Sequence, residues 1–308
     1  MKTKLNDFLP DASATEDSYV INGIEGPGDY RLIMPEDIGR LFKPRVPFSH
    51  KGTYGHALII AGAPQTMGAA LLSAMGCLYA GAGLTTAAIP ESGLSALNAA
   101  LPEVMYADKK QLLENKTILK TYSAIAVGPG LTNSNGHSLD HIELLYELLR
   151  QKLPIVADAD ALTLLKGKLR SIPKKSILTP HVKEFDRLFG AHKTWWERLQ
   201  TARLKARKME VVIVLKNQYT FIIDQQGLVF INPTGNPAMA QGGMGDVLTG
   251  IITAYVAQGY QPATAAMLGC YFHGRAGNEL AESRFNVTAS QVAMQLPVTI
   301  NGFPDPKK

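Results

Sequence analysis

At 308 residues, 46% hydrophobic and 19% charged, the chain has enough apolar material for a full buried core, which excludes a largely disordered protein. The formal charge of +5 comes from scattered Lys and Arg, and the densest run, Arg203 to Lys208, reads as a solvated helix face and not as a nucleic-acid footprint. Cys77 and Cys270 lie in apolar stretches without metal-ligand spacing, so both read as buried free thiols in a reducing compartment.

Residues 1 to 44 show no sustained periodicity and read as an N-terminal arm or linker remnant, ending in a short helix from Pro35 to Phe42. Residues 45–308 read as one α/β domain. No Asp, Glu, Lys or Arg occurs between Lys51 and Glu91, but Pro64 and five glycines break that run into pieces too short to span a bilayer. With no apolar leader at the N-terminus, the expectation is a cytoplasmic protein with no membrane contact.

From Ala57 onward, apolar strands alternate with helical patterns. Strands are expected at Ala57–Ala61, Leu84–Ile89, Ala124–Val127, Ile155–Ala157, Ser176–Thr179 and Val211–Leu215, and helices at Gly68–Ala80, Ser138–Gln151 and Val182–Phe189. Such alternation implies a three-layer α/β/α body around a mostly parallel sheet. Two neighbouring strands, Tyr219–Asp224 and Leu228–Ile231, then flank the turn Gln226-Gly227 and predict an antiparallel edge hairpin. Helices at Asp246–Gln258 and Pro262–Glu282 close the pattern.

Ligands of open α/β sheets sit at the carboxyl ends of the strands, so the segments found there carry most weight. GAPQTMGAA follows the first strand, GPGL the third, DADAL the fourth, TPHVKE the fifth and Lys216 the sixth. Lys216 suits a place beside phosphates, or simply closes its strand. Asp158 and Asp160 suit water-mediated Mg²⁺ or the capping of the next helix. His181 and Glu184, three residues apart at a helix start, suit substrate contact and ordering of metal-bound water, or plain capping. His273, inside an apolar helix, reads as structural.

The strongest signal is GNPAMAQGGMGDVLTGII, in which Asp246 stands behind Gly242, Gly243 and Gly245 at the mouth of an apolar helix. Glycines let backbone N–H groups approach a ligand, and a helix N-terminus carries partial positive charge, so the segment forms an anion cradle with a carboxylate in it. A plain N-cap is the alternative for Asp246. Neither a Walker A loop nor a dinucleotide GxGxxG is present, which centres phosphate handling on Gly242 to Asp246.

The ordered set KGTYGHALIIAG, MGAA, GAGL, VGPGL, DADAL, TPHxxE and NPAMAQGGMGDVLTGII resembles the ADP- or ATP-dependent NAD(P)H-hydrate dehydratases of the ribokinase-like superfamily, from about Phe48 to the C-terminal region. The resemblance implies a ribokinase-like fold and a stand-alone dehydratase, or a dehydratase half separated from an epimerase partner. It implies repair of NADHX or NADPHX with ADP or ATP as co-substrate and Mg²⁺ as cofactor, and a homo-oligomer, with a tetramer among the options. By the same resemblance Asp246 is the catalytic base, and the N–H groups of Gly243 to Gly245 stabilise the transferring phosphoryl. Gly68, Ala69, Gly130 and His181, with Asp246, hold the hydrated nicotinamide nucleotide. Lys216, Asn217, Gln218, Tyr219, Thr220 and Gly245 hold the adenine nucleotide, and Glu184 is linked to Mg²⁺ through water. The chain departs from the family pattern at Asn217 and Lys183, each in place of glycine, and at Met244 in place of threonine. Two other readings stand beside this one: a small-molecule kinase of the same superfamily, and a nucleotide-binding protein without turnover.

Overall fold

The computed structural model describes residues 30–133, 136–137 and 139–303. The first 29 residues of the expected arm and the start of the expected helix at Ser138 lie outside them. Among the described residues twelve strands are formed: β1 (Tyr30–Leu32), β2 (His56–Ile60), β3 (Leu84–Ala88), β4 (Met105–Ala107), β5 (Ala124–Val127), β6 (Thr132–Asn133), β7 (Gly136–His137), β8 (Val156–Ala157), β9 (Ile177–Leu178), β10 (Val212–Leu215), β11 (Thr220–Ile223) and β12 (Val229–Asn232). The α-helices are α1 (Pro35–Leu41), α2 (Met67–Tyr79), α3 (Leu94–Ala100), α4 (Lys109–Glu114), α5 (Leu139–Arg150), α6 (Ala159–Leu164), α7 (Val182–Phe189), α8 (Trp195–Met209), α9 (Met244–Ala257), α10 (Pro262–Ala281) and α11 (Ala289–Asn301).

Ten strands form one sheet in the order β1-β12-β11-β10-β9-β8-β5-β2-β3-β4, and β6 and β7 make a separate two-stranded ribbon. From β10 to β4 every pairing is parallel, while β11 runs antiparallel to both β10 and β12. The chain winds outward in opposite directions from β2 and β5, so the switch point of the sheet lies between these two strands. The expected hairpin is thus present at its end of the sheet, with β1 added beyond it in parallel register, Tyr30 opposite Val229.

That added strand corrects the boundary drawn at residue 44. Residues 30–32 belong to the main sheet, and Ile38 of α1 is fully buried in the core against which α10 packs, so the body begins earlier than the loss of periodicity suggests. Further elements, β4, β6, β7, α3, α4, α6, α8 and α11, extend the sequence reading. In α11 an interior proline, Pro297, removes a backbone donor and masks a helix that a capping box of Thr288 and Gln291 starts cleanly. The run Arg203 to Lys208 lies on α8, where Arg203 and Arg207 donate to the carbonyls of Gly227 and Gln226 at 2.9 and 2.7 Å. Part of that expected solvated face therefore holds the turn between β11 and β12.

Alternate residues of the strands feed two cores. Ala57, Ile59, Ala126 and Val214 face α2, α9, α10 and α11, whereas Leu58, Ile60, Val127 and Leu215 face α5, α6, α7 and α8. The first face is rich in alanine because α2 and α9 approach closely. A Cβ at Gly250 would collide with the Ser73 carbonyl, and one at Gly76 with that of Val247. This contact fixes the N-terminus of α9 relative to the sheet. Among the described residues no helix is long and apolar enough to cross a membrane, and both cysteines are free and buried, their thiols pushed up to about 12 chiefly by burial.

Candidate active site

Five loops meet at the carboxyl ends of β2, β5, β8, β9 and β10. At the switch point, the loop after β2 is tied to the loop after β5. Gly62 N donates to the Pro129 carbonyl at 2.8 Å, and Thr66 Oγ1 donates to that of Gly130 at 2.7 Å. Gly130 has φ +63°, and a Cβ there would stand 2.8 Å from the Thr66 oxygen and 2.9 Å from Ala69 Cβ. Only glycine fits without strain. Gly68 opens on free space, so Gly68, Ala69 and Gly130 form one small patch able to accept a flat group at van der Waals distance.

α2 runs from that patch to the glycine cradle. Gly243, with φ +89°, is the N-cap of α9, and Met244 begins the helix. Asp246 therefore lies in the first turn and is not an N-cap, which disposes of the plain alternative for this residue. Its backbone oxygen accepts from Ser73 Oγ of α2 at 2.9 Å. The carboxyl group is pushed up to about 7, first by burial, then by the nearby Asp158, Asp160 and Glu184, against the opposite pull of Lys216. A carboxylate poised near neutrality at a helix N-terminus suits proton abstraction.

Lys216 is not merely a strand end. Its Nζ donates to Asp158 Oδ1 at 2.7 Å, and a Cβ at Gly245 would lie 3.2 Å from that nitrogen. Burial pulls the ammonium down, but Asp158, Glu184 and Asp246 together hold it above its ordinary value. Asp158, 1% exposed, accepts with its second oxygen from Thr249 Oγ1 at 2.8 Å and makes no side-chain cap to α6. Asp160 instead accepts from the Thr132 N–H at 2.8 Å. Neither aspartate is spent on capping.

His181 is the N-cap of α7. Its Nδ1 accepts from the N–H groups of Lys183 and Glu184, and Glu184 Oε2 accepts from the His181 N–H at 2.9 Å. Lysine in place of glycine at position 183 leaves this capping box intact. The box commits one oxygen of Glu184 and one nitrogen of His181, leaving Oε1 and Nε2 3.5 Å apart. A β-bridge joins His181 to Lys216, which brings these two loops side by side. Among the described residues no group of three or more His, Cys, Asp or Glu side chains is set to enclose a metal ion.

A cavity of about 500 Å³ opens beside the cradle. Lys216, Asn217, Gln218, Thr220 and Gly245 line it, whereas Tyr219 packs against the core on the α8 side of the sheet. Residues to which the sequence reading gave no site role form the far wall: Asn232 at the end of β12, Thr234 and Asn236 beyond it, Met239, Leu248, and Cys270 and His273 of α10. His273 read as structural; it is buried, its ring is driven down to about 4 by burial and by Lys216, and its Nε2 has no hydrogen-bond partner among the described residues. The clue available was a polar group in an otherwise apolar helix. Asn232 and Thr234 share hydrogen bonds with each other and with the Cys270 carbonyl, so that wall is rigid.

Comparison with known proteins agrees with this geometry. The chain is 41% identical over 254 residues to the bifunctional NAD(P)H-hydrate repair enzyme of Moorella thermoacetica, covering 76% of this chain and 47% of that protein. It is 34% identical over 274 residues to the ADP-dependent (S)-NAD(P)H-hydrate dehydratase of Lactiplantibacillus plantarum, covering 88% and 97%. The chain thus spans about half the length of the bifunctional relative and nearly all of the single-function one. The solved ADP/ATP-dependent NAD(P)H-hydrate dehydratase of Bacillus subtilis superposes with a TM-score of 0.76 at 32% identity, covering 88% of this chain and 98% of that one. Residues 57–297 match the sequence profile of the NAD(P)H-hydrate dehydratases. With the strand-end loops, the cradle and the ribokinase-like sheet in place, the chain belongs to the NAD(P)H-hydrate dehydratase family.

Proposed function

We propose that the protein dehydrates (6S)-NADHX and NADPHX to NADH and NADPH at the expense of ADP or ATP. The observation that carries this reading is Asp246, poised near neutrality beside a glycine cradle and set between the Gly68/Ala69/Gly130 patch and the Lys216 cavity. The hydrated nicotinamide lies on the patch, near His181, and the adenine nucleotide fills the cavity with its phosphates toward Lys216 and Gly245. The relatives named for this activity support the assignment.

A ring hydroxyl is a poor leaving group. Asp246 takes the proton of the C6 hydroxyl as its oxygen bonds to the terminal phosphorus, and the bond from phosphorus to the nucleotide bridging oxygen breaks, releasing AMP from ADP or ADP from ATP. N–H groups of the first turn of α9, which have no intrahelical partners, stabilise charge on the transferring phosphoryl. The ring nitrogen lone pair then expels phosphate from C6, and loss of a proton from the adjacent ring carbon restores the dihydropyridine.

Asp158, Asp160, Glu184 and Asp246 outnumber the single ammonium of Lys216, a charge balance that fits a divalent cation brought in on nucleotide phosphates. Mg²⁺ keeps several waters and needs only one or two protein carboxylates. Glu184 would hold it through water, and the ion would neutralise charge on the phosphates. The Bacillus subtilis neighbour was co-crystallised with ATP and Mg²⁺. A functional link to an epimerase and a cytoplasmic location belong to the same reading. So does self-association, for which the exposed Met294 and Val298, one turn apart on α11, offer an apolar stripe.

The test is incubation of purified protein with hydrated NADH and either ADP or ATP. The expected result is recovery of the absorbance of reduced nicotinamide with release of free phosphate. A stable phosphorylated product would make the protein a kinase, and nucleotide binding without any turnover would make it a silent relative.

A further inference from the structure

We propose that Asp158 is a positioning residue that stations the Lys216 ammonium at the phosphoryl cradle, acting through Lys216 and not on substrate or metal. The inference rests on the reading of this site as a phosphoryl-transfer centre. Three observations carry it. Both oxygens of this buried carboxylate are engaged, one by Lys216 Nζ at 2.7 Å and the other by Thr249 Oγ1 at 2.8 Å. Thr249 lies on α9 three residues after Asp246, so one side chain joins the end of β8, the end of β10 and the helix that bears the base. The backbone around it is also built to hold it in place. A Cβ at Gly128, after β5, would collide with the Asp158 carbonyl, and Ala159 adopts a left-handed φ of +47°, uncommon for a non-glycine residue. Relaxation of that turn would move Asp158.

A lysine on a flexible four-carbon stem reaches a ground-state phosphate from many directions. Stabilising a transferring phosphoryl demands one direction, held before the reaction begins. Asp158 supplies that restraint, and the 3.2 Å from Lys216 Nζ to the Cβ position of Gly245 shows where it leaves the charge. Removal of the restraint therefore costs turnover more than affinity.

The test compares D158N, T249V, K216M and the double variant D158N/K216M, with folding checked by circular dichroism and thermal melting. D158N is expected to lower kcat at least tenfold while changing the Kd for ADP less than threefold, and T249V to lower kcat by a smaller factor with the same Kd. In the K216M background, D158N is expected to cost nothing further, because its effect passes through the missing ammonium. An equal additional loss in that background would overturn the proposal, as would an ADP Kd that rises in step with the fall in kcat. Should D158N fail to fold, T249V and the double variant, which removes the whole buried pair, still decide. Binding of ADP with aluminium fluoride, a mimic of the transferring phosphoryl, repeats the comparison without turnover. If wild type does not process hydrated NADH but D158N still weakens the mimic at least tenfold and ADP alone less than threefold, the assigned reaction fails while the positioning role stands.

Discussion

Asp246 carries two linked pH dependences. As a base it works only when ionised, so with the group pushed up to about 7 the rate should climb through neutrality and level off above it. A profile of kcat/KM against pH should show that rising limb in wild type, and D246N should lose on the order of 10² to 10⁴ in rate at every pH while retaining nucleotide binding. Equal loss of binding and rate would make Asp246 a binding group. The stability linkage runs the other way. Between its ordinary value of 3.8 and about 7 the native carboxyl holds a proton that the unfolded chain has lost. Native stability therefore falls as pH rises through that window, and the cost is complete above about 7. In urea unfolding, D246N should exceed wild type by up to a few kcal/mol at pH 8 and match it at or below pH 4. Gly130 offers an independent probe on the substrate side. Gly130→Ala would force a Cβ against Thr66 and Ala69 at a positive φ, so KM for the hydrated nucleotide should rise with the Kd for ADP unchanged. A parallel rise of both would place Gly130 outside the substrate patch.

The elements hold these residues in register through one helix pair. α2 brings the Gly68/Ala69 patch, α9 brings Asp246, and their contact at Gly76 and Gly250 leaves no room for a methyl group. Gly250→Ala should push α9 off α2 next to Ser73, whose hydroxyl also holds the Asp246 carbonyl. The expected cost is about 1 to 3 kcal/mol in urea unfolding together with a loss of kcat. Full activity with full stability would show that the pair tolerates the shift and does not set the geometry. Much of this scale is legible in the sequence, because β2, β5 and β10 are apolar runs bounded by glycine, proline or charge, and they emerge within a residue of their expected ends. What escapes is short or disguised. β1 and β4 have three residues each, too few for a period to register, and Pro297 hides α11. The site divides in the same way. The cradle and Asp246 are local in the chain and readable. The cavity wall of Asn232, Thr234 and His273 assembles from β12 and α10, and single polar residues in apolar segments carry no spacing to betray it.

At the scale of the molecule, the cavity proposed for the nucleotide is walled by the ends of β10, β11 and β12, the segment after β12, and α9 and α10, so it spans the sheet and the helical layer behind it. A ligand that fills it contacts elements that must all separate on unfolding, and by mass action it stabilises the native state alone. At a nucleotide concentration one hundred times Kd the gain is about 2.7 kcal/mol, which for a chain of this size corresponds to a rise in Tm on the order of 5 °C. Differential scanning fluorimetry with ADP and ATP, each with Mg²⁺, should show that rise for wild type and for D246N, whose base contributes to transfer and not to nucleotide binding. K216M should show a smaller one, because it removes the ammonium proposed to meet the phosphates. Hydrated NADH alone should also raise Tm in wild type but not in Gly130→Ala, since the patch at the switch point is separate from the cavity. Loss of the nucleotide shift in D246N, or its full retention in K216M, would sink the division of the site into a nucleotide side at Lys216 and a reacting centre at Asp246.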